Sequence, residues 1–284
     1  MIYARLIGID AYASNTLYGC NNDVTNMAAF LAALGVSVQP PLRDGAADAG
    51  SILNILLADV GRLNAGDQLI VHFSGHGSQR YFQGITRAAA CPIDFRDGDR
   101  DSWIIDLDLG TLTQALVRGA RVTIFADCCF SGGLEQNFVQ VLGGALKRTM
   151  LGFAARVGLA ASPRVRVRAF ARSNAAPSLS LTGAIGTGDV VVLAASGFGQ
   201  ESGEHDFGGS GPAGIQGVFT HFLIQRLSGG NIGEAATATC AGINTLAHGN
   251  FTQVAELHGN SASWNRPLIE VANTLAPAAR TAVH

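Results

Sequence analysis

Two short loops carry the residues of this chain best suited to nucleophilic chemistry. One holds two adjacent thiols, in Ala126-Asp127-Cys128-Cys129-Phe130-Ser131-Gly132-Gly133. The other holds an imidazole, in His72-Phe73-Ser74-Gly75-His76-Gly77-Ser78-Gln79. A thiol becomes a strong nucleophile when a base removes its proton, and the same imidazole can later protonate a leaving amine. Together they point to acyl transfer through a thioester. A buried thiol and an unrelated turn histidine is the plainer reading of the same residues.

Whether the two can meet depends on the elements that carry them. Arg121 to Ala126 is apolar, β-rich and bounded by Gly119, and Asp67 to Phe73 has the same character, so both read as buried strands. Each loop therefore begins at a strand's carboxyl end, where open α/β sheets bind their ligands. If the two strands are neighbours in a parallel sheet, His76 and a cysteine face one cleft. Side chains alternate along a strand, so only one of Cys128 and Cys129 should face His76.

The rest of the chain supplies the alternation such a sheet needs. Strand 3–9 leads to a helix from about Asn22 to Leu34, a short strand at Val36-Ser37-Val38, and an amphipathic helix from Ala49 to Leu63. After the strand before His76 come an acidic loop and a helix around Leu109 to Val117. Beyond Gly133 the pattern is irregular until a strand at Asp189 to Ala195, a helix from Gly217 to Leu227 and a final strand near Pro267 to Val271. Strand–helix alternation of this kind predicts an α/β fold with a mainly parallel central sheet and helices on both faces.

The loops resemble the two catalytic motifs of the metacaspases, within the caspase-like cysteine peptidases. Leu17-Tyr18-Gly19-Cys20-Asn21-Asn22-Asp23-Val24 is similar to a third family segment, Arg5-Leu6-Ile7-Gly8-Ile9 to its first strand, and Gly217-Val218-Phe219-Thr220 to its small-subunit helix start. The family pattern at the nucleophile is Asp-Ser-Cys-His-Ser-Gly, so the resemblance selects Cys129 as nucleophile and His76 as its base. Cys128 then replaces a serine and Phe130 a histidine. Backbone N–H groups of Gly77 and Cys129 are the candidate oxyanion donors, since loops at strand ends present such groups. The resemblance also divides one caspase-like domain into a large-subunit-like catalytic part (1–133), a basic connector (134–188) and a small-subunit-like part (189–284).

It further implies that Cys20, Asp23 and Asp127 line the primary specificity pocket. Buried carboxylates call for positive charge, which predicts cleavage after Arg or Lys, with Arg favoured for its bidentate geometry. Helix-dipole and turn roles for Asp23 and Asp127 are the plainer readings. The connector carries Lys147, Arg148, Arg156, Arg164, Arg166, Arg168 and Arg172 against one acid, Glu135. It reads as a surface insertion, partly helical between Val139 and Leu159, or as the place where family members cut themselves; Arg164 to Arg168 also fits an edge strand guarded by charge.

The acidic loop places six aspartates in fifteen residues, at 94, 97, 99, 101, 106 and 108. Such a cluster is solvated, paired with arginines, or bound to a hard cation. Many metacaspases are calcium-activated here, with Asp94 and Asp106 the best matches. The 97/99/101/108 spacing also resembles an EF-hand loop, although Ser102 occupies its glycine position. Asp94, Asp106 and Asp108 are the candidate ligands, with calcium as activator and no cofactor required for chemistry.

Composition sets outer bounds. With 284 residues, 48% hydrophobic and 14% charged, the chain can bury a large core. A net charge of −2 gives no general drive towards nucleic acid or anionic membranes. The absence of a long apolar run or leader-like start predicts a cytoplasmic protein. Five cysteines without paired spacing predict reduced thiols. His72, Cys240, Trp103 and Trp264 read as packing residues, and His205 as part of a substrate-facing loop. The expected partner is a peptide or protein substrate, and the family tendency is towards a monomer. The competing function is a caspase-like regulatory or binding module with little turnover.

Overall fold

A computed structural model describes residues 1–129, 165–167, 189–197, 200–208, 214–227, 230–246, 253–259 and 261–269. In chain order its first half runs β1 (Ile2–Gly8), α1 (Cys20–Ala33), β2 (Ser37–Val38), β3 (Leu42–Arg43), α2 (Ala49–Gly61), β4 (Gln68–Ser74), β5 (Gly77–Phe82), β6 (Ile85–Ala90), β7 (Ile104–Ile105), α3 (Asp106–Gln114) and β8 (Arg121–Asp127). The second half adds β9 (Val165–Val167), β10 (Asp189–Ala194), β11 (Gly203–Asp206), β12 (Ile215–Gly217), α4 (Val218–Arg226), α5 (Ile232–Leu246), β13 (Glu256–Gly259) and α6 (Ser261–Trp264).

The apolar strand runs assemble into one central sheet, ordered β13-β10-β8-β4-β1-β2 with β3 also on β1. Every pairing in it is parallel except β13 on β10. Both faces are covered, which is why these strands are apolar almost continuously rather than alternately. On one face Leu69, Val71, Phe73, Val122, Ile124 and Ala126 pack with Ile52, Leu56 and Val60 of α2 and with Leu109 and Leu112 of α3. On the other, Leu6, Ile70, Phe125 and Leu193 pack with α1, α4 and α5. A buried ion pair staples the first of these layers, Arg5 Nε to Asp59 Oδ2 at 2.7 Å, joining β1 to α2.

The parts on either side of the connector share this sheet, β1, β4 and β8 coming from 1–133 and β10 and β13 from 189–284. Among the described residues, two small sheets lie outside it, ordered β5-β6-β7 and β12-β11-β9.

Several elements depart from the sequence expectations. The stretch after His76 is a hairpin, turned by Gln83 and Gly84 with φ of 51° and 84°. Left-handed geometry at both positions suits a two-residue hairpin, but the usual Asn-Gly or Asp-Gly signal is missing. Helix α5 was not anticipated, because alanine, glycine and threonine blur its buried stripe at Ile232, Ala235, Ala236, Thr239 and Ile243. The strand expected near Pro267 to Val271 is corrected: among the described residues the sheet's last strand is Glu256–Gly259, and Pro267 makes only an isolated bridge to Asn231. Proline has no N–H for a ladder; residues 270–271 lie outside the described residues. The basic edge strand is present as β9, whereas the helix expected between Val139 and Leu159 lies outside the described residues.

Candidate active site

The two reactive loops leave adjacent strands at the same level. In the β4–β8 ladder Ser74 stands opposite Asp127. His76 lies two residues beyond the first and Cys129 two residues beyond the second. Gly75 N–H donates to the Asp127 carbonyl at 3.2 Å, carrying the contact past the ladder's end. A Cβ built on Gly77 would lie 1.8 Å from the carbonyl oxygen of Cys129. Only glycine lets the two loops approach so closely.

The His76 ring is fixed by residues that no sequence motif signalled. Its Nε2 lies 2.6 Å from the backbone carbonyl of Asn15. A carbonyl can only accept, so Nε2 carries the proton and the basic nitrogen of the neutral ring is Nδ1. Asn15 holds φ at 56°, a left-handed geometry that asparagine tolerates better than most residues. Tyr12 supports the same loop. Its hydroxyl accepts the His76 N–H at 3.0 Å and donates to the Cys91 carbonyl at 2.7 Å, and its ring centroid lies 4.6 Å from the imidazole. Burial pushes the Tyr12 phenol well above its ordinary value, with nearby Cys91 and Cys20 adding to the shift, so the hydroxyl stays protonated. Asp44 anchors this loop by accepting the N–H groups of Asp10 and Ala11.

Cys129 is buried, and its sulfur accepts the N–H of Ser202 at 3.1 Å with the Ser202 carbonyl 3.4 Å away. Cys128, also buried, packs in the apolar layer beneath, and its carbonyl accepts the Ser196 hydroxyl. Burial raises the Cys91 thiol well above its ordinary value, against the opposing charge of Arg80, which keeps it protonated beside the site.

Behind the two loops lies a cage of buried carboxylates. Asp23, on α1, accepts the Ser74 hydroxyl at 2.7 Å and the Gly217 N–H at 2.8 Å. Asp127 accepts the Ser202 hydroxyl at 2.9 Å and, through its second oxygen, the N–H and hydroxyl of Thr220 at 3.1 and 2.7 Å. Buried His72 contacts the same Thr220 hydroxyl at 3.0 Å, in keeping with a packing role. Glu204 belongs to this wall as well, its Oε2 accepting the N–H groups of Tyr18 and Gly19. Ligand atoms of Asp10, Cys20 and Glu204 lie within 4.8 Å of one another. Asp10 is already engaged with the Cys20 and Asn21 amides, so carboxylates clamp the start of α1 from two sides. Cys20, Asp23 and Asp127 thus share one region. Ser74, Ser202, Glu204 and Thr220 join them without having been singled out, although Ser74 sits inside the histidine motif itself.

The acidic-loop aspartates are held separately. Asp94 accepts the Ala49 N–H, Asp106 pairs with Arg87 at 2.7 Å, and Asp108 pairs with Arg100 at 2.7 Å while accepting the Ile105 N–H. Burial pushes the Asp106 carboxyl up to about 6, against the Arg87 charge that pulls it down. Of the three readings of this loop, arginine pairing accounts for Asp106 and Asp108.

The parallel sheet, its antiparallel edge strand and the paired strand-end loops define an α/β chain of the caspase-like class. Among solved structures it shares its fold with a protein of Geobacter sulfurreducens, with a TM-score of 0.62 and 18% identity over 93% of this chain and 97% of that one. Residues 3–136 match the family model described as metacaspase, peptidase C14 domain. The chain is similar to metacaspase-3 of Trypanosoma cruzi, 28% identical over 171 residues, or 54% of this chain and 47% of that protein. It is likewise similar to metacaspase-1 of Pyricularia oryzae, 31% identical over 180 residues, or 55% and 43% respectively. These matches make residues 3–136 similar to the metacaspase peptidase domain and support a metacaspase-like relationship for the chain. The chain spans about half the length of the curated relatives it matches. No helix among the described residues is long and apolar enough to cross a membrane.

Proposed function

We propose that this chain is a cysteine endopeptidase that cleaves peptide or protein substrates after Arg or Lys. The observation that carries the reading is the ladder register of Ser74 and Asp127, which brings the His76 and Cys129 loops into contact. Nδ1 of His76 takes the thiol proton, the sulfur attacks the scissile carbonyl, and the proton passes to the leaving amine. Water then hydrolyses the thioester. Backbone N–H groups of Gly77 and Cys129 serve the oxyanion.

The carboxylate cage supports a cationic residue before the scissile bond. Asp23, Asp127 and Glu204 are all buried within one wall, where an arginine can meet more than one oxygen. Every group named lies on one chain, which supports a monomer as the working unit. All five cysteines are free thiols, in keeping with a cytoplasmic setting. Calcium enters this reading as an activator acting on the acidic loop rather than in the chemistry, supported by that loop's charge density.

The test is hydrolysis of fluorogenic peptides ending in Arg, Lys or Asp, with calcium and with chelator. The expected result is turnover after Arg, weaker turnover after Lys and none after Asp, with the chelator lane lower. Folded protein that hydrolyses none of them would overturn the reading in favour of a regulatory module.

A further inference from the structure

The segment that leads into β13 carries a glutamine, only 1% exposed, whose contacts reach the wall of the site. Gln253 Oε1 accepts the Gly203 N–H at 3.3 Å. Its Nε2 donates to the Ala195 carbonyl at 3.0 Å and to the Ser202 hydroxyl oxygen at 3.2 Å. The amide therefore bridges the chain from just past β10 to the first residue of β11. Gln200 ties the same two segments in the opposite sense, its Oε1 accepting the N–H groups of Gly197 and Val254 at 3.1 and 3.0 Å.

The partners dictate which way the Gln253 amide points. A main-chain N–H only donates and a carbonyl only accepts, so Oε1 faces Gly203 and Nε2 faces Ala195. The second Nε2 hydrogen then takes a lone pair of the Ser202 oxygen, and the single hydroxyl proton goes to Asp127 Oδ1 at 2.9 Å. A reversed amide would draw that proton to itself and take a donor from Asp127. Ser202 also holds Cys129, with its N–H 3.1 Å and its carbonyl 3.4 Å from the sulfur. Gln253 thus bears on the nucleophile and on a carboxylate of the cage through one shared neighbour. Packing alone gives no reason for an amide here, since a buried polar group costs free energy unless it is paired.

Resting on the protease reading above, we propose that Gln253 is a positioning residue serving both halves of the site. Through the Ser202 hydroxyl it keeps a donor on Asp127, which fixes the lone pairs left for a substrate cation and so sets KM for arginyl peptides. Through the Ala195 carbonyl and the Gly203 N–H it holds the Ser202 backbone against the Cys129 sulfur, which sets kcat.

Steady-state kinetics of the full chain on an arginyl fluorogenic peptide separate the two halves, with thermal midpoints showing that each variant is folded. Ser202→Ala removes the hydroxyl but keeps the N–H and carbonyl on the sulfur. Its KM should rise about fivefold or more while kcat stays within about twofold. Gln253→Met, which keeps the length and loses the polar atoms, should raise KM similarly and also lower kcat at least about fivefold. In the Ser202→Ala background the same change should lower kcat and leave KM where Ser202→Ala put it, because no hydroxyl remains to be turned. Gln253→Asn, too short to reach Ala195 and Gly203 together, gives the same readings should the methionine variant not fold. Folded Gln253 variants with wild-type KM and kcat would overturn the inference alone, as would KM effects that simply multiply in the double variant. A wild-type chain that hydrolyses no arginyl peptide would remove the protease reading and this inference with it.

Discussion

Gly77 lies against the main chain of Cys129, so that a Cβ at position 77 would stand 1.8 Å from the carbonyl oxygen, 2.8 Å from its carbon and 3.0 Å from the amide nitrogen. All three contacts are to backbone, which cannot swing aside as a side chain can. The first loop therefore fixes the second at this point, and the oxyanion donors of the proposed mechanism flank it.

Gly77→Ala is expected to push the loops apart. Overpacking of this kind costs about 1–3 kcal/mol of stability. The loss of turnover should exceed what that destabilisation explains, because the donors move with the loop. Thermal unfolding and kcat on an arginyl peptide, measured together, check this; an active variant of unchanged stability would refute the close approach.

Asn15 acts through its carbonyl, so its side chain matters only for holding φ at 56°. Asn15→Gly should therefore keep most activity. Asn15→Val, with a β-branched side chain in left-handed geometry, should cost about 1–2 kcal/mol or abandon the conformation. In the second case the imidazole loses the acceptor that sets its tautomer, and kcat falls more than KM changes. Equal kcat in the two variants would dissociate Asn15 from the imidazole's orientation.

The Asp106 carboxyl titrates near 6 in the folded chain, against its ordinary 3.8. The folded state thus holds this proton more tightly than the unfolded state. Its contribution to stability is full below about 4 and is lost as pH rises through about 6, by something on the order of 3 kcal/mol. Urea midpoints of wild type and Asp106→Asn at several pH values between 4 and 7 isolate this slope. The difference between the two proteins should change across that window; a constant difference would remove Asp106 as the titrating group.

Much of the sheet was legible because buried parallel strands carry near-continuous apolar runs, as Leu69-Ile70-Val71 does in β4 and Ile124-Phe125-Ala126 in β8. The histidine and cysteine loops followed from the ends of those strands. The supports of the site were less visible for physical reasons. Asn15 works through a carbonyl that any residue possesses, and Tyr12 reaches the His76 amide across 64 positions of sequence. Ser202 and Thr220 meet Asp127 only after the chain has folded back from distant segments. The arginine partners of Asp106 and Asp108 were likewise hidden, since charge density in a loop does not say which arginines the fold will bring to it. The hairpin at Gln83-Gly84 escaped because its left-handed first position carries glutamine.

The central claim is that Cys129, rather than its neighbour Cys128, is the nucleophile. The most direct measurement is hydrolysis of an arginyl fluorogenic peptide by wild type, Cys129→Ala and Cys128→Ala, each shown to be folded. Cys129→Ala should abolish turnover, while Cys128→Ala, a small change inside an apolar layer, should retain it. Turnover that survives Cys129→Ala and disappears in Cys128→Ala would move the nucleophile to Cys128.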